Sequence, residues 1–150
     1  MRRASLLAIV LVAALALAGC GGGGGKTALS KAEFVSQANA ICKDFQARID
    51  KLGAPSGVED LVTLAGKAIP ISEEGVAGLR ALQPPAELQV DVDAWLATGD
   101  VNVAKLKELL AAAKKKDLAA ISKISDAGQA NSDQAKQLAS KLGLTECAKA

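Results

Sequence analysis

The chain has 150 residues, 18 basic against 16 acidic, with no histidine, no tyrosine and one tryptophan. That length suits one domain, and the near-neutral charge excludes a nucleic-acid binder or a polybasic membrane clamp. Without histidine there is no His-based general base, no Ser-His-Asp triad, no His-ligated haem or zinc, and no Glu-x-x-His pair for a di-iron bundle.

The first element is a short positive segment, Met1-Arg2-Arg3, followed by a continuous apolar run from Leu6 to Leu17 and small residues at Ala18 and Gly19. This is the layout of a secretory signal, and the run is too short to span a membrane comfortably. Leu17-Ala18-Gly19-Cys20 resembles a bacterial lipoprotein box. The resemblance implies that Cys20 takes a diacylglyceryl group through its thiolate and becomes the first residue of the mature chain. It also implies a location on the extracytoplasmic face of the cell membrane, held there by the N-terminal lipid. Each buried CH₂ adds about 0.8 kcal/mol, so two or three acyl chains hold a protein stably. The alternative is an ordinary secreted protein with an unpaired Cys20.

Gly21 to Gly25 read as a flexible spacer with a reach on the order of 15–18 Å from Cys20 to Ala28. The expected domains are a signal peptide at 1–19, a lipidated cysteine and glycine-rich linker at 20–29, and a helical domain at 30–150. Loss of residues 1–19 removes Arg2 and Arg3, which leaves 16 basic and 16 acidic residues. Alanine, leucine and lysine dominate the remainder, favouring helix over strand.

Ser30-Lys31-Ala32-Glu33 is a capping box. Phe34, Ala38, Ile41, Phe45, Ile49 and Leu52 then recur at three- and four-residue steps until Gly53 and Pro55, predicting a helix over 31–52. Ser56 to Glu59 reads as a second capping box, opening a helix over 58–82. Pro70 inside it removes one backbone hydrogen bond and is expected to bend it near Ile69. Pro84-Pro85 starts a third helix with Pro85 in its first turn. Leu88, Val92, Trp95 or Leu96, Val103, Leu106, Leu110 and Ala113 line its apolar face. Lys114 to Lys116 suit its C-terminus. Asp117 caps a fourth helix, with Leu118, Ile121, Ile124, Ala135, Leu138 and Leu142 in period and Gly143 as its stop.

Four amphipathic segments with short connections predict an all-α fold: an antiparallel up-down-up-down four-helix bundle with a kinked second helix. A signal-peptide helix and a glycine linker are expected to precede it. In the fourth helix, Ala127, Gly128, Asn131 and Ser132 replace large aliphatics. Close helix approach on small residues is one reading, and a cavity or polar groove is the other. Trp95 reads as a core anchor, with ligand stacking or an interface as the alternative. Trp95, Gly128 and Asn131 are therefore the candidate ligand or interface positions.

Cys42 and Cys147 remain once Cys20 is lipidated. In such a bundle, Cys42 lies roughly 17 Å along the first helix, a span that the residues after Leu142 can cover if they fold back extended. This predicts a Cys42–Cys147 disulfide, allowed in an oxidising compartment. The alternative is two buried free thiols. Two cysteines without histidine are too few for zinc, and no metal or cofactor is expected.

Three segments carry a further resemblance: Phe34 to Cys42 with its Ala38-Asn39-Ala40-Ile41-Cys42, Leu82 to Ala86 with its L-x-P-P turn, and Leu142 to Cys147. They resemble uncharacterised small lipoproteins of actinobacteria and their relatives. The resemblance implies an all-helical, disulfide-closed, surface-anchored domain and brings no activity with it.

Other motifs carry little chemistry. Asp91 and Asp93 point apart on a helix and cannot readily share an ion with Asp100. Glu73 and Glu74 read as charges favouring a helix restarted after Pro70. Ser122-Lys123 and Ser140-Lys141 are neighbours that diverge on a helix. Gly21 to Gly25 lack the Gly-Lys-Ser/Thr and preceding strand of a phosphate loop. The expectation is a non-enzymatic binding or scaffolding module with an envelope protein partner. The alternative is a carrier of a small apolar ligand in the bundle interior.

Overall fold

The computed structural model describes residues 27–149; the expected signal peptide at 1–19, Cys20 and Gly21 to Gly25 lie outside the described residues. Four α-helices follow in order: α1 (Lys31–Asp50), α2 (Val58–Arg80), α3 (Gln89–Lys114) and α4 (Leu118–Lys141). A 3-10 turn at Ala86–Leu88 precedes α3. There is no strand among the described residues.

The helix ends follow local chemistry. At α1 the Ser30 hydroxyl accepts from the Glu33 N–H at 3.3 Å, and the Ser30 N–H donates to the Glu33 carboxylate at 2.9 Å. The second expected box does not form. Gly57 is the N-cap of α2 with no side-chain cap bond. The chain enters extended through Gly57, which sets Ser56 one residue too far back. Asp60 rather than Glu59 therefore reaches the Ser56 N–H, at 3.2 Å. Glu59 instead pairs with Lys116 at 2.6 Å. α2 continues through Pro70, which is exposed, as is Gly66 four residues before it. The carbonyl that loses its partner thus faces water, which can replace the bond.

α3 starts later than Pro85. Pro85 is buried in an extended conformation, and its carbonyl accepts from Leu88 at 2.9 Å, so the 3-10 turn comes first. At the other end of α3, Lys116 takes a positive φ of 55°. Its N–H donates to the Ala113 carbonyl and that of Asp117 to the Ala112 carbonyl, a Schellman closure built on lysine. Asp117 then caps α4 by accepting from Ala120 at 2.9 Å. Leu118, placed on the apolar stripe by periodicity, is 66% exposed, being the first residue past the cap.

α4 closes in the same way on Gly143, whose φ is 78°. The Leu144 N–H donates to the Ala139 carbonyl, which tucks the fully buried Leu144 beneath the helix end. The tail therefore runs in turns, not extended, because this closure bends it back at once.

Side-chain contacts set the register. A β-carbon on Gly78 would lie 3.7 Å from Ile41 and one on Gly75 3.4 Å from Phe45, and Arg48 pairs with Glu74 at 2.7 Å. Between α2 and α3, Arg80 pairs with Asp100, Glu73 with Lys107 and Glu59 with Lys116. In each pair of helices, partners ascend on one as they descend on the other. α2 packs on α1 and α3, and α3 packs on α4. No α-carbon of α1 comes within 8 Å of one in α4.

The core is uneven as a result. Phe34, Val92 and Leu144, the largest fully buried side chains, sit with Ala38, Ala139 and Leu142 around Cys42 and Cys147. Trp95 and Leu96 belong to the same cluster, and the other buried hydrophobic side chains on the helices are alanines: Ala65, Ala112 and Ala113. Ile41, Phe45, Ile49, Leu106, Leu109 and Ile124 remain only partly buried.

Candidate functional site: an apolar cavity between the helices

Those partly buried side chains line a cavity of about 580 Å³. α1 contributes Ile41, Phe45 and Ile49, and α2 contributes Ala68, Val76 and Leu79. Trp95, Leu106 and Leu109 come from α3, and Ile124, Gly128 and Ala135 from α4. The volume falls in the range of about 300–1,000 Å³ typical of small-molecule sites, which are mostly apolar with a few placed polar groups. Close-packed interiors leave few voids larger than a water molecule.

The cause lies in α4. Its cavity-lining residues between Ile124 and Ala135 are Ser125, Gly128 and Ser132. None can reach α1 across the seam. A β-carbon added at Gly128 would meet no atom within 4 Å, so at this position small residues leave space and do not bring helices together. Close approach occurs instead between α2 and α3, where a β-carbon on Gly99 would lie 3.0 Å from Val76.

Polar groups in the wall are held by their neighbours. The buried Thr98 hydroxyl donates to the Trp95 carbonyl at 2.6 Å. Asn131 donates through Nδ2 to the Thr98 carbonyl at 2.9 Å and to the Asn102 side-chain oxygen at 2.6 Å. Asn131 is thus set behind the wall and fixes Asn102, which lines it. Ser72 on α2 and Gln46 on α1 complete the uncharged polar lining. Lys105 is the one charged lining residue, with its ammonium 2.7 Å from Glu108 on its own helix.

One end of the cavity is the disulfide-bearing core. Cys42 and Cys147 are at bonding distance, with S–S 2.12 Å and α-carbons 5.0 Å apart, and both line the cavity. The Glu146 N–H donates to the Asn39 side-chain oxygen at 2.9 Å, which clips the tail to α1 beside the disulfide. Trp95, 7% exposed, is both a core residue and part of the wall.

Of the residues singled out by sequence, Trp95 and Gly128 line the cavity and Asn131 supports it. Cys20 lies outside the described residues. Sequence reasoning missed Asn102, Thr98 and Lys105. The available signal was that Asn102 and Thr98 fall between apolar positions of α3, on the side that meets Asn131. Asp100 pairs with Arg80, and Asp93 accepts from Gln89, so these two α3 aspartates are engaged separately. No group of three potential metal-ligating side chains occurs among the described residues. No described helix is long and apolar enough to cross a membrane.

No family model, curated protein or solved structure matches the chain.

Proposed function

We propose that this chain is an exported, non-catalytic lipoprotein, anchored through Cys20 on the extracytoplasmic face of the cell membrane, whose helical body carries a small apolar ligand. The helical body is read as an up-down-up-down arrangement with α2 kinked at Pro70. The opposed registers between α1 and α2 and between α2 and α3 support that order. The observation that carries the function is the 580 Å³ cavity, lined by apolar side chains from all four helices where a core would otherwise be packed. The Met1-to-Cys20 pattern carries the anchor, and the resemblance to small actinobacterial lipoproteins agrees with the anchor and with the helical body.

A role in binding an envelope protein rests on a separate feature. Val90 and Val101 are 80% and 42% exposed and eleven residues apart on α3. That spacing is close to three turns, so they share one face.

The test has two parts. Metabolic labelling with a fatty acid should tag the chain, and Cys20→Ser should abolish the tag. A photoreactive aryl hydrocarbon, added to membranes bearing the full chain, should label peptides containing Phe45, Leu106 and Ile124. Gly128→Leu should suppress that labelling. Labelling confined to the Val90–Val101 face would instead favour the protein-partner reading.

A further inference from the structure

Resting on the carrier reading, we infer that the cavity takes a single-chain anionic amphiphile: one extended hydrocarbon tail lies along the helices, and its acidic head meets Lys105.

Shape gives the tail. The cavity wall runs from Ala68 to Leu79 on α2 and from Trp95 to Leu109 on α3. At 1.5 Å per residue these are lengths of roughly 16 and 21 Å. A volume of 580 Å³ over that length leaves a mean cross-section of about 28–36 Å². A polymethylene chain with van der Waals neighbours on every side occupies on the order of 20 Å². One extended chain therefore fits with some slack.

Charge gives the head. Among the described residues, Lys105 is the one charged side chain in a wall that is otherwise apolar or neutral. Its side chain is 31% exposed, so its stem can lie on the apolar surface while the ammonium reaches the water boundary. Its present partner, Glu108, is half exposed on the same helix, and an ion pair of that kind is weak enough to be exchanged. An acidic head entering here gains a charge-assisted hydrogen bond. Because no α-carbons of α1 and α4 lie within 8 Å of each other, the side between these helices is the route in for such a molecule.

Trp95 makes the test direct. It is the only tryptophan and it lines the cavity, and bromine on an alkyl chain quenches indole fluorescence on contact. The full chain is reconstituted in phosphatidylcholine vesicles and titrated with dibromostearic acid, with the corresponding dibromo alcohol, and with a brominated sterol. The acid should quench Trp95 at roughly tenfold lower concentration than the alcohol, as one charge-assisted bond implies. Lys105→Met should erase that preference and Lys105→Arg should keep it, with circular dichroism confirming that both fold. Equal quenching by acid and alcohol would overturn the head-group assignment while leaving an apolar carrier intact. Stronger quenching by the sterol would overturn the single-chain assignment. Absence of quenching by all three would overturn this inference and the carrier reading together.

Discussion

Cys42 and Cys147 join α1 to the tail beyond α4, although no α-carbon of α1 approaches one in α4 within 8 Å. The bond spans 105 residues of sequence and lies at one end of an otherwise open seam. Covalent closure and packing are therefore concentrated at the same end of the molecule, and the cavity runs from that end into the part that lacks both.

Reduction should accordingly be costly. In the loop-entropy picture, a link across 105 residues contributes about 4–5 kcal/mol. The C42A/C147A double variant should lose most of that in urea unfolding. It should also show faster amide exchange in α1, whose α-carbons come within 8 Å of those of α2 and of no other helix. Unchanged exchange in α1 would mean that α2 alone holds it.

Glycine positions in α3 and α4 should respond oppositely to the same change. At Gly128 an added β-carbon meets nothing, so Gly128→Ala should stabilise by about 0.5–1 kcal/mol through helix propensity. At Gly99 the methyl would press Val76 at 3.0 Å, and overpacking should cancel or exceed that gain. Thermal melts of the two variants decide the matter. A stabilised Gly99→Ala would show that Val76 can move aside.

The αL lysine at the α3–α4 turn is a second place for improvement. An L-residue in that conformation costs roughly 1–2 kcal/mol. The Lys116–Glu59 pair that Lys116→Gly would remove is highly exposed at both ends and contributes little. The variant should raise the melting temperature, and a fall would show that the Lys116–Glu59 pair outweighs the backbone relief.

Acid should weaken the fold gradually. Glu33 is held below its ordinary value by the Ser30 hydroxyl, Glu59 by Lys116, Asp60 by the Ser56 hydroxyl and Glu74 by Arg48. A carboxylate whose folded value is depressed favours the folded state above its unfolded value, and that contribution fades as pH falls through the folded value. Stability should therefore be flat between about pH 6 and 8, where no histidine titrates, and decline below the ordinary values of 4.5 and 3.8. All four groups are exposed, so the decline is shallow. A sharp transition between pH 6 and 7 would contradict the assignment.

The helices were legible because periodicity and capping residues act locally. Ser30 with Glu33, Asp117 and Gly143 mark ends that the structure uses. The cysteine pair was legible because only two cysteines, Cys42 and Cys147, lie beyond Cys20. The Gly57 entry, the 3-10 turn after Pro85 and the coiled tail were not. Each depends on a single residue's backbone state, which periodicity does not report. The cavity was only half legible. The run of small residues around Gly128 was visible, but whether neighbouring helices close over them depends on their separation, and an apolar stripe does not encode that distance. Lys105 was not legible at all, because a helical wheel does not show that the wall beside it is hollow.

The most direct measurement is the mass of apolar material retained by the full chain when it is purified from its own host and extracted with organic solvent, after correction for any acyl group found on Cys20. Close to one molecule per chain, falling sharply in Gly128→Leu, is the expected result. A clean wild-type chain, or a load that Gly128→Leu leaves unchanged, would contradict the carrier reading.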